Sequence, residues 1–111
     1  MGIVLSSHVS RKQAARLEEE LLNKLHTDEG TRRNNYIVEL RRSFVWQKHS
    51  CIVLEGLNLN LREMIKKFGK GVGLSMQAVR VYSKQLLLAL RRMKQCQIIH
   101  ADIKPDNIVV R

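Results

Sequence analysis

The tightest constraint on this chain lies near its end, in Ile98-Ile99-His100-Ala101-Asp102-Ile103-Lys104-Pro105-Asp106-Asn107-Ile108-Val109-Val110. Apolar runs flank a polar loop, a layout in which the fold holds both ends of the loop rigid. Pro105 fixes its own φ and disfavours helical geometry at Lys104, which stiffens the turn. Ile108 to Val110 are all β-branched and read as a strand that anchors the loop. An ordinary helix-to-strand connection also uses Asp, Asn, Pro and Lys, so composition alone does not make this a site. The offsets carry the further information.

Asp, Lys and Asn at these offsets resemble the catalytic loop of protein kinases, whose phosphoryl transfer asks a protein mainly to position the acceptor and neutralise developing charge with a carboxylate, a cation and a metal-holding amide facing one point. Asp102 supplies a carboxylate that can take a hydroxyl proton. Lys104, two residues on, can reach a transferring phosphoryl group, and Asn107 offers a neutral oxygen to a hard cation such as magnesium.

Length and charge bound the alternatives. At 111 residues there is room for one small domain. Apolar content of 44% is enough for a core, while 20 Lys and Arg against 10 Asp and Glu give a net charge of +10. Such an excess favours acidic partners, nucleic acid, phosphopeptides or anionic membrane among them, unless it is spread over solvated helix faces. Cys51 and Cys96 stand far apart without a CxxC pair and read as reduced, intracellular thiols. No apolar run is long enough to cross a bilayer, and no stable membrane association is expected. Met1-Gly2-Ile3-Val4-Leu5-Ser6 does match the N-myristoylation pattern, but the same residues suit a short strand.

Periodicity gives the remaining elements. Leu17, Leu21 and Leu25, widened by Leu22, predict a helix from about Arg11 to His26, with Glu18 beside the apolar stripe. Thr27 to Asn35 reads as a loop. Tyr36 to Trp46 reads as a strand interrupted by Arg41 and Arg42, and Gln47 to Ser50 as a polar turn. Cys51 to Leu57 has the near-continuous apolar character of a strand buried on both faces. Asn60 and Glu63 form a capping box that starts a helix running to Phe68, closed by a loop containing Gly69, Gly71 and Gly73. Ser75 caps the longest helix, Met76 to Gln95, with Val79, Tyr82, Leu86, Leu90 and Met93 on one stripe and Arg80, Lys84, Arg91 and Lys94 on other faces.

Taken together, His100 to Asn107 and the elements leading to it resemble the catalytic loop and central part of a protein kinase domain. The implied fold is α+β, a partial kinase-like fold comprising the C-helix, strands four and five of the N-lobe, the first C-lobe helices and the catalytic loop. Residues 1–57 would be part of the N-lobe and 58–111 part of the C-lobe. Asp-x-Lys-x-x-Asn is similar to serine/threonine kinases. His-Ala-Asp-Ile-Lys-Pro-Asp-Asn, with Leu57-x-x-x-Leu61-Arg62-Glu63 and Ala78-x-x-x-Tyr82-x-x-Gln85-Leu86, most resembles the pre-mRNA processing kinases of the dual-specificity tyrosine-regulated clan.

The resemblance implies roles residue by residue. Asp102 and Lys104 would be catalytic and Asn107 a magnesium ligand. Glu18, or a neighbour among Glu19 and Glu20, would pair with the lysine that holds the ATP phosphates. Leu54 would be the gatekeeper, and Glu55 and Leu57 would present a backbone carbonyl and N–H to adenine. ATP and magnesium are the implied cofactors. A protein with an acceptor Ser or Thr is the implied substrate, spliceosomal proteins are implied partners, and the nucleus is the implied location. Ala101 replaces the arginine that commonly reads a phosphorylated activation loop, which puts that mode of regulation in doubt.

The Gly-x-Gly-x-x-Gly, Val-Ala-Ile-Lys and Asp-Phe-Gly motifs are not among the 111 residues, so the chain alone is expected to be inactive and poorly soluble or molten. Two other functions remain open: a non-catalytic kinase-like scaffold, and a basic helical module that binds RNA. Against direct RNA binding, the basic residues are spread over several helices and are not interleaved with stacking aromatics.

Overall fold

A computed structural model describes residues 3–5, 12–26 and 36–111. Its order is β1 (Ile3–Leu5), α1 (Lys12–His26), β2 (Leu40–Trp46), β3 (His49–Leu54), α2 (Leu61–Phe68), α3 (Met76–Gln95), a 3-10 turn (Pro105–Asn107) and β4 (Ile108–Val110). The mixture of helix and strand agrees with a partial kinase fold. The predicted loop over 27–35 and the myristoylation site at Gly2 lie outside the described residues.

Local chemistry sets the helix ends. Asn60 Oδ1 accepts from Glu63 N at 2.8 Å and Ser75 Oγ accepts from Ala78 N at 3.2 Å, so both predicted N-caps form. A Cβ at Gly69 would run into the Ile65 carbonyl oxygen, and the chain then turns through positive φ at Gly71 and Gly73. At the end of α3, Ile98 N donates to Met93 O at 2.9 Å and Gln97 N to Lys94 O at 3.0 Å, the paired bonds of a Schellman cap. Gln97 holds the left-handed position (φ 57°) where glycine is usual.

One core joins the elements. Leu22 and Leu25 of α1, Ile37 and Val38, Ala89 and Met93 of α3, Cys96 and Ile108 of β4 are buried together. Arg92 is buried as well, and its Nε donates to Leu25 O at 3.0 Å and its Nη2 to Lys24 O at 3.5 Å. A cation thus sits on the terminal carbonyls of α1, where unpaired acceptors and the helix dipole both favour it. His26, donating from Nε2 to Val38 O at 3.0 Å, fixes the same end of α1 to the following segment.

β2 and β3 form an antiparallel hairpin, and β1 pairs antiparallel with β4. The hairpin register shifts between Leu40 and Arg42, a bulge at Arg41 that accounts for the interruption seen in the sequence. Trp46 pairs with His49, leaving only Gln47 and Lys48 in the turn, both at positive φ (45° and 63°), as a type I′ turn requires.

Several sequence expectations are corrected here. His49 and Ser50 belong to β3, not to the turn, and β2 begins at Leu40 instead of Tyr36. The second strand ends at Leu54 and is not buried on both faces, since Val53 is exposed. On α1, Leu17 lies outside the core while Leu22 and Leu25 enter it. On α3 the row Tyr82, Leu86, Leu90 and Met93 packs on the core, whereas Val79, placed on the same stripe by the sequence pattern, is exposed. The core reaches α3 along a single line, so neighbouring rows turn outward.

Candidate active site

The loop is built outward from β4. Val110 N donates to Leu59 O at 2.8 Å and Asn58 N to Val110 O at 3.0 Å, while Asn60 bridges to Val109. β1 covers the other edge. β4 therefore lies between two backbone segments, and its Ile108 and Val110 side chains are buried. The residue just before it, Asn107, is 6% exposed and sits at the end of the 3-10 turn, whose Asn107 N donates to Lys104 O at 2.9 Å. Lys104 is fully extended (φ −158°, ψ 161°), the conformation expected before Pro105.

Asn107 organises the loop. Its Nδ2 donates to Asp102 O at 2.9 Å and to Asp102 Oδ2 at 3.0 Å. Both partners are acceptors, so the amide nitrogen must face them and Oδ1 points elsewhere. Lys104 Nζ lies 3.6 Å from the same Asp102 Oδ2. Asp102, Lys104 and Asn107 thus meet around one carboxylate, with Asp102 and Lys104 exposed to an incoming molecule. Ala101 takes φ 67°, a left-handed conformation that is uncommon for a residue with a Cβ, and the next amide, Asp102 N, donates to His100 Nδ1 at 3.1 Å. Arg62 of α2 braces the outer side of the loop through Asp106 at 3.3 Å.

The residue types suit a magnesium ion. Asn107 Oδ1 is a neutral hard donor beside the Asp102 carboxylate, and magnesium takes only one or two protein ligands, with the rest from water and phosphate. Among the described residues no cluster of three or more His, Cys, Asp or Glu forms a dedicated metal cage.

The other predicted site residues fall in two places. Leu54 packs against the core at the end of β3 and Leu57 packs against it just beyond. Between them Glu55 N donates to Glu39 O at 2.9 Å, and Glu55 Oε1 accepts from Glu39 N at 3.1 Å. Among the described residues no hydrogen bond engages the Glu55 carbonyl or the Leu57 N–H. Glu18 is buried on α1 (5% exposed), whereas Glu20 is exposed and Glu19 accepts from Ser43 Oγ at 2.8 Å.

Sequence reasoning missed three contacts that hold these pieces. Arg111 Nη2 donates to Glu55 Oε1 at 2.9 Å and Oε2 at 3.1 Å, linking the residue after β4 to the segment after β3. The Arg62 to Asp106 pair and the Arg92 cap are the others. Only Arg92 left a trace: Ala89, Arg92, Met93 and Cys96 are spaced as one helix face, which marks an inward arginine.

Comparison with known proteins gives the family. A family model described as "Protein kinase domain" matches residues 3–111. Serine/threonine-protein kinase prpf4B of Dictyostelium discoideum is 42% identical over 108 residues, covering 96% of this chain and 13% of that protein. Serine/threonine-protein kinase prp4 of Schizosaccharomyces pombe is 52% identical over 75 residues, 68% of this chain and 16% of that protein. The dual specificity protein kinase YAK1 homolog of Arabidopsis thaliana is 37% identical over 107 residues, 96% of this chain and 11% of that protein. The chain thus spans less than a fifth of the length of each of these relatives. With its Asp102, Lys104 and Asn107 loop standing at the end of a matched stretch that begins at Ile3, the chain belongs to the protein kinase domain family.

Proposed function

We propose that this chain carries the catalytic loop of a serine/threonine protein kinase that moves the γ-phosphoryl group of ATP to a protein hydroxyl. The observation that supports the reading best is the convergence of Asn107 Nδ2 and Lys104 Nζ on Asp102 Oδ2. One hydrogen bond from Asn107 and one ion pair from Lys104 hold that oxygen, which orients the carboxylate and leaves its other oxygen to accept the proton of a Ser or Thr hydroxyl. Lys104 is then placed to swing toward a phosphoryl group as charge gathers there. Asn107 Oδ1 would contribute to holding magnesium, which when bound neutralises phosphate charge.

Residues 1–57 and 58–111 are the N-lobe and C-lobe portions in this reading. The Leu54 side chain would border the adenine, and the Glu55 carbonyl and Leu57 N–H would pair with its edge. Glu18 would hold the phosphate-binding lysine of the parent kinase. Likeness to the serine/threonine-protein kinases prpf4B and prp4 supports the serine/threonine class, and the loop's resemblance to pre-mRNA processing kinases extends the reading to nuclear substrates in the splicing machinery. The chain by itself does not catalyse, because the phosphate-binding lysine and the Asp-Phe-Gly aspartate act together with these residues.

Two experiments test this. In a chimera whose Schizosaccharomyces pombe prp4 catalytic segment is replaced by residues 60–111, Ser/Thr phosphorylation is retained, and Asp102→Asn lowers kcat by about 10²–10⁴-fold. A chimera indifferent to Asp102→Asn overturns the assignment. Calorimetry of magnesium ATP on the 111-residue chain is expected to show no tight binding. Tight binding abolished by Asp102→Ala with Asn107→Ala would show a complete nucleotide site and contradict the claim that the chain alone is inactive.

A further inference from the structure

α3 carries an open groove on the side away from the core, and two rows of side chains form it. Met76, Val79 and Leu87, 69%, 41% and 65% exposed respectively, make a mainly apolar row in which Ser83 stands between Val79 and Leu87. Arg80, Lys84 and Arg91 make the adjacent row, and no hydrogen bond or ion pair involves any of these three cations within the described residues. At about 1.5 Å per residue the cationic row runs for roughly 16 Å, or three helical turns. Solvated lysines and arginines are ordinary on a helix. A row of them bordering an equally long exposed apolar row is a two-part recognition surface, because apolar and anionic groups would have to arrive together to satisfy both.

We infer that this groove is a docking surface for an acidic amphipathic helix of a partner protein, about three turns long, with a Leu-type stripe on Met76, Val79 and Leu87 and carboxylates along Arg80, Lys84 and Arg91. A helix matches the length and straightness of the groove, and ridges of one helix seat in the grooves of another. Charge selects the partner. A second copy of this chain would bring the same cations face to face, which opposes self-docking along this surface. Nucleic acid would satisfy the cations, but no aromatic side chain lines the groove to stack a base, and the apolar row would stay wet. The surface is independent of the Asp102 loop and is tested without nucleotide.

The probe is a fluorescein-labelled, capped 18-residue peptide with leucines at i, i+3, i+4 and i+7 spacing and glutamates elsewhere, titrated by anisotropy with the full 111-residue chain. A lysine-for-glutamate version, a scrambled version and a 15-nucleotide oligouridine serve as competitors. The acidic peptide is expected to bind at least about tenfold more tightly than the lysine or scrambled versions. Arg80→Glu with Lys84→Glu and Arg91→Glu reverses the preference to the lysine peptide, and Leu87→Asp weakens both. All four positions are exposed, and circular dichroism checks that each variant keeps its helix content. Equal binding of acidic and scrambled peptides overturns the inference. So does charge reversal without effect, or oligouridine displacing the peptide while Leu87→Asp changes nothing. Reversal of preference is the decisive supporting result, since loss of folding weakens binding without inverting its charge selectivity.

Discussion

The Asp102 loop region and the β2–β3 hairpin share a length scale and a strand geometry, yet they are held in different ways. β4 is paired on both edges, its side chains enter the core, and Asn107, Arg62 and Arg111 tie the adjoining residues. Among the described residues the hairpin has its own ladder, packs Leu40 and Leu54 at its base against the core, touches α1, and leaves Phe44, Val45, Trp46 and Val53 in solvent. A site whose carboxylate must stay oriented needs the first kind of support. A two-stranded ribbon with open edges depends on whatever covers it. The difference teaches that the loop's order is supplied from within the described residues, while the hairpin is held there at its base and not at its distal end.

The largest break in this comparison is expected at Arg92, which secures α1 to α3 and so to the loop. Arg92→Met removes a charge-assisted cap and leaves the Leu25 carbonyl buried, costing about 3 kcal/mol in urea unfolding. Arg92→Lys restores less than half, because an ammonium lacks the guanidinium fork. If Arg92→Met were neutral, the tie between α1 and the loop would not matter. Next comes Asn107→Ala, which strips both bonds to Asp102 and should cost about 2 kcal/mol, with faster proteolysis in the loop and no change in the hairpin.

Changes in the hairpin should be smaller and of the other sign. Gln47→Asn with Lys48→Gly places residues that tolerate positive φ at both turn positions and is expected to stabilise by about 1 kcal/mol. Trp46→Thr should alter monomer stability by less than about 0.5 kcal/mol while reducing concentration-dependent association seen by light scattering. A cost as large as that at Asn107 would show that Trp46 is part of the core after all.

Legibility followed the range of the interactions. The caps at Asn60 and Ser75 act over three residues, and both were readable, as were the β4 strand and the extended Lys104 before Pro105. The Asp102, Lys104 and Asn107 convergence was readable because a six-residue span closes it. The type I′ turn was not, since Gln47 and Lys48 lack the usual Asn-Gly signal and the strand register imposes the turn. Nor was the Schellman position at Gln97. Which α3 row faces inward depends on partners tens of residues away, so periodicity found a stripe but placed Val79 wrongly. Arg111 meeting Glu55 is longer in range still and left no local sign.

Hydrogen exchange followed residue by residue on the 111-residue chain tests the central contrast most directly. The amides of Asn58, Asn107 and Val110, all bonded within the loop scaffold, should exchange at least about tenfold more slowly than those of Phe44 to Ile52 in the hairpin. Hairpin amides protected as well as Val110, or loop amides that exchange as freely as the hairpin, would contradict the claim that this chain holds its Asp102 loop from within.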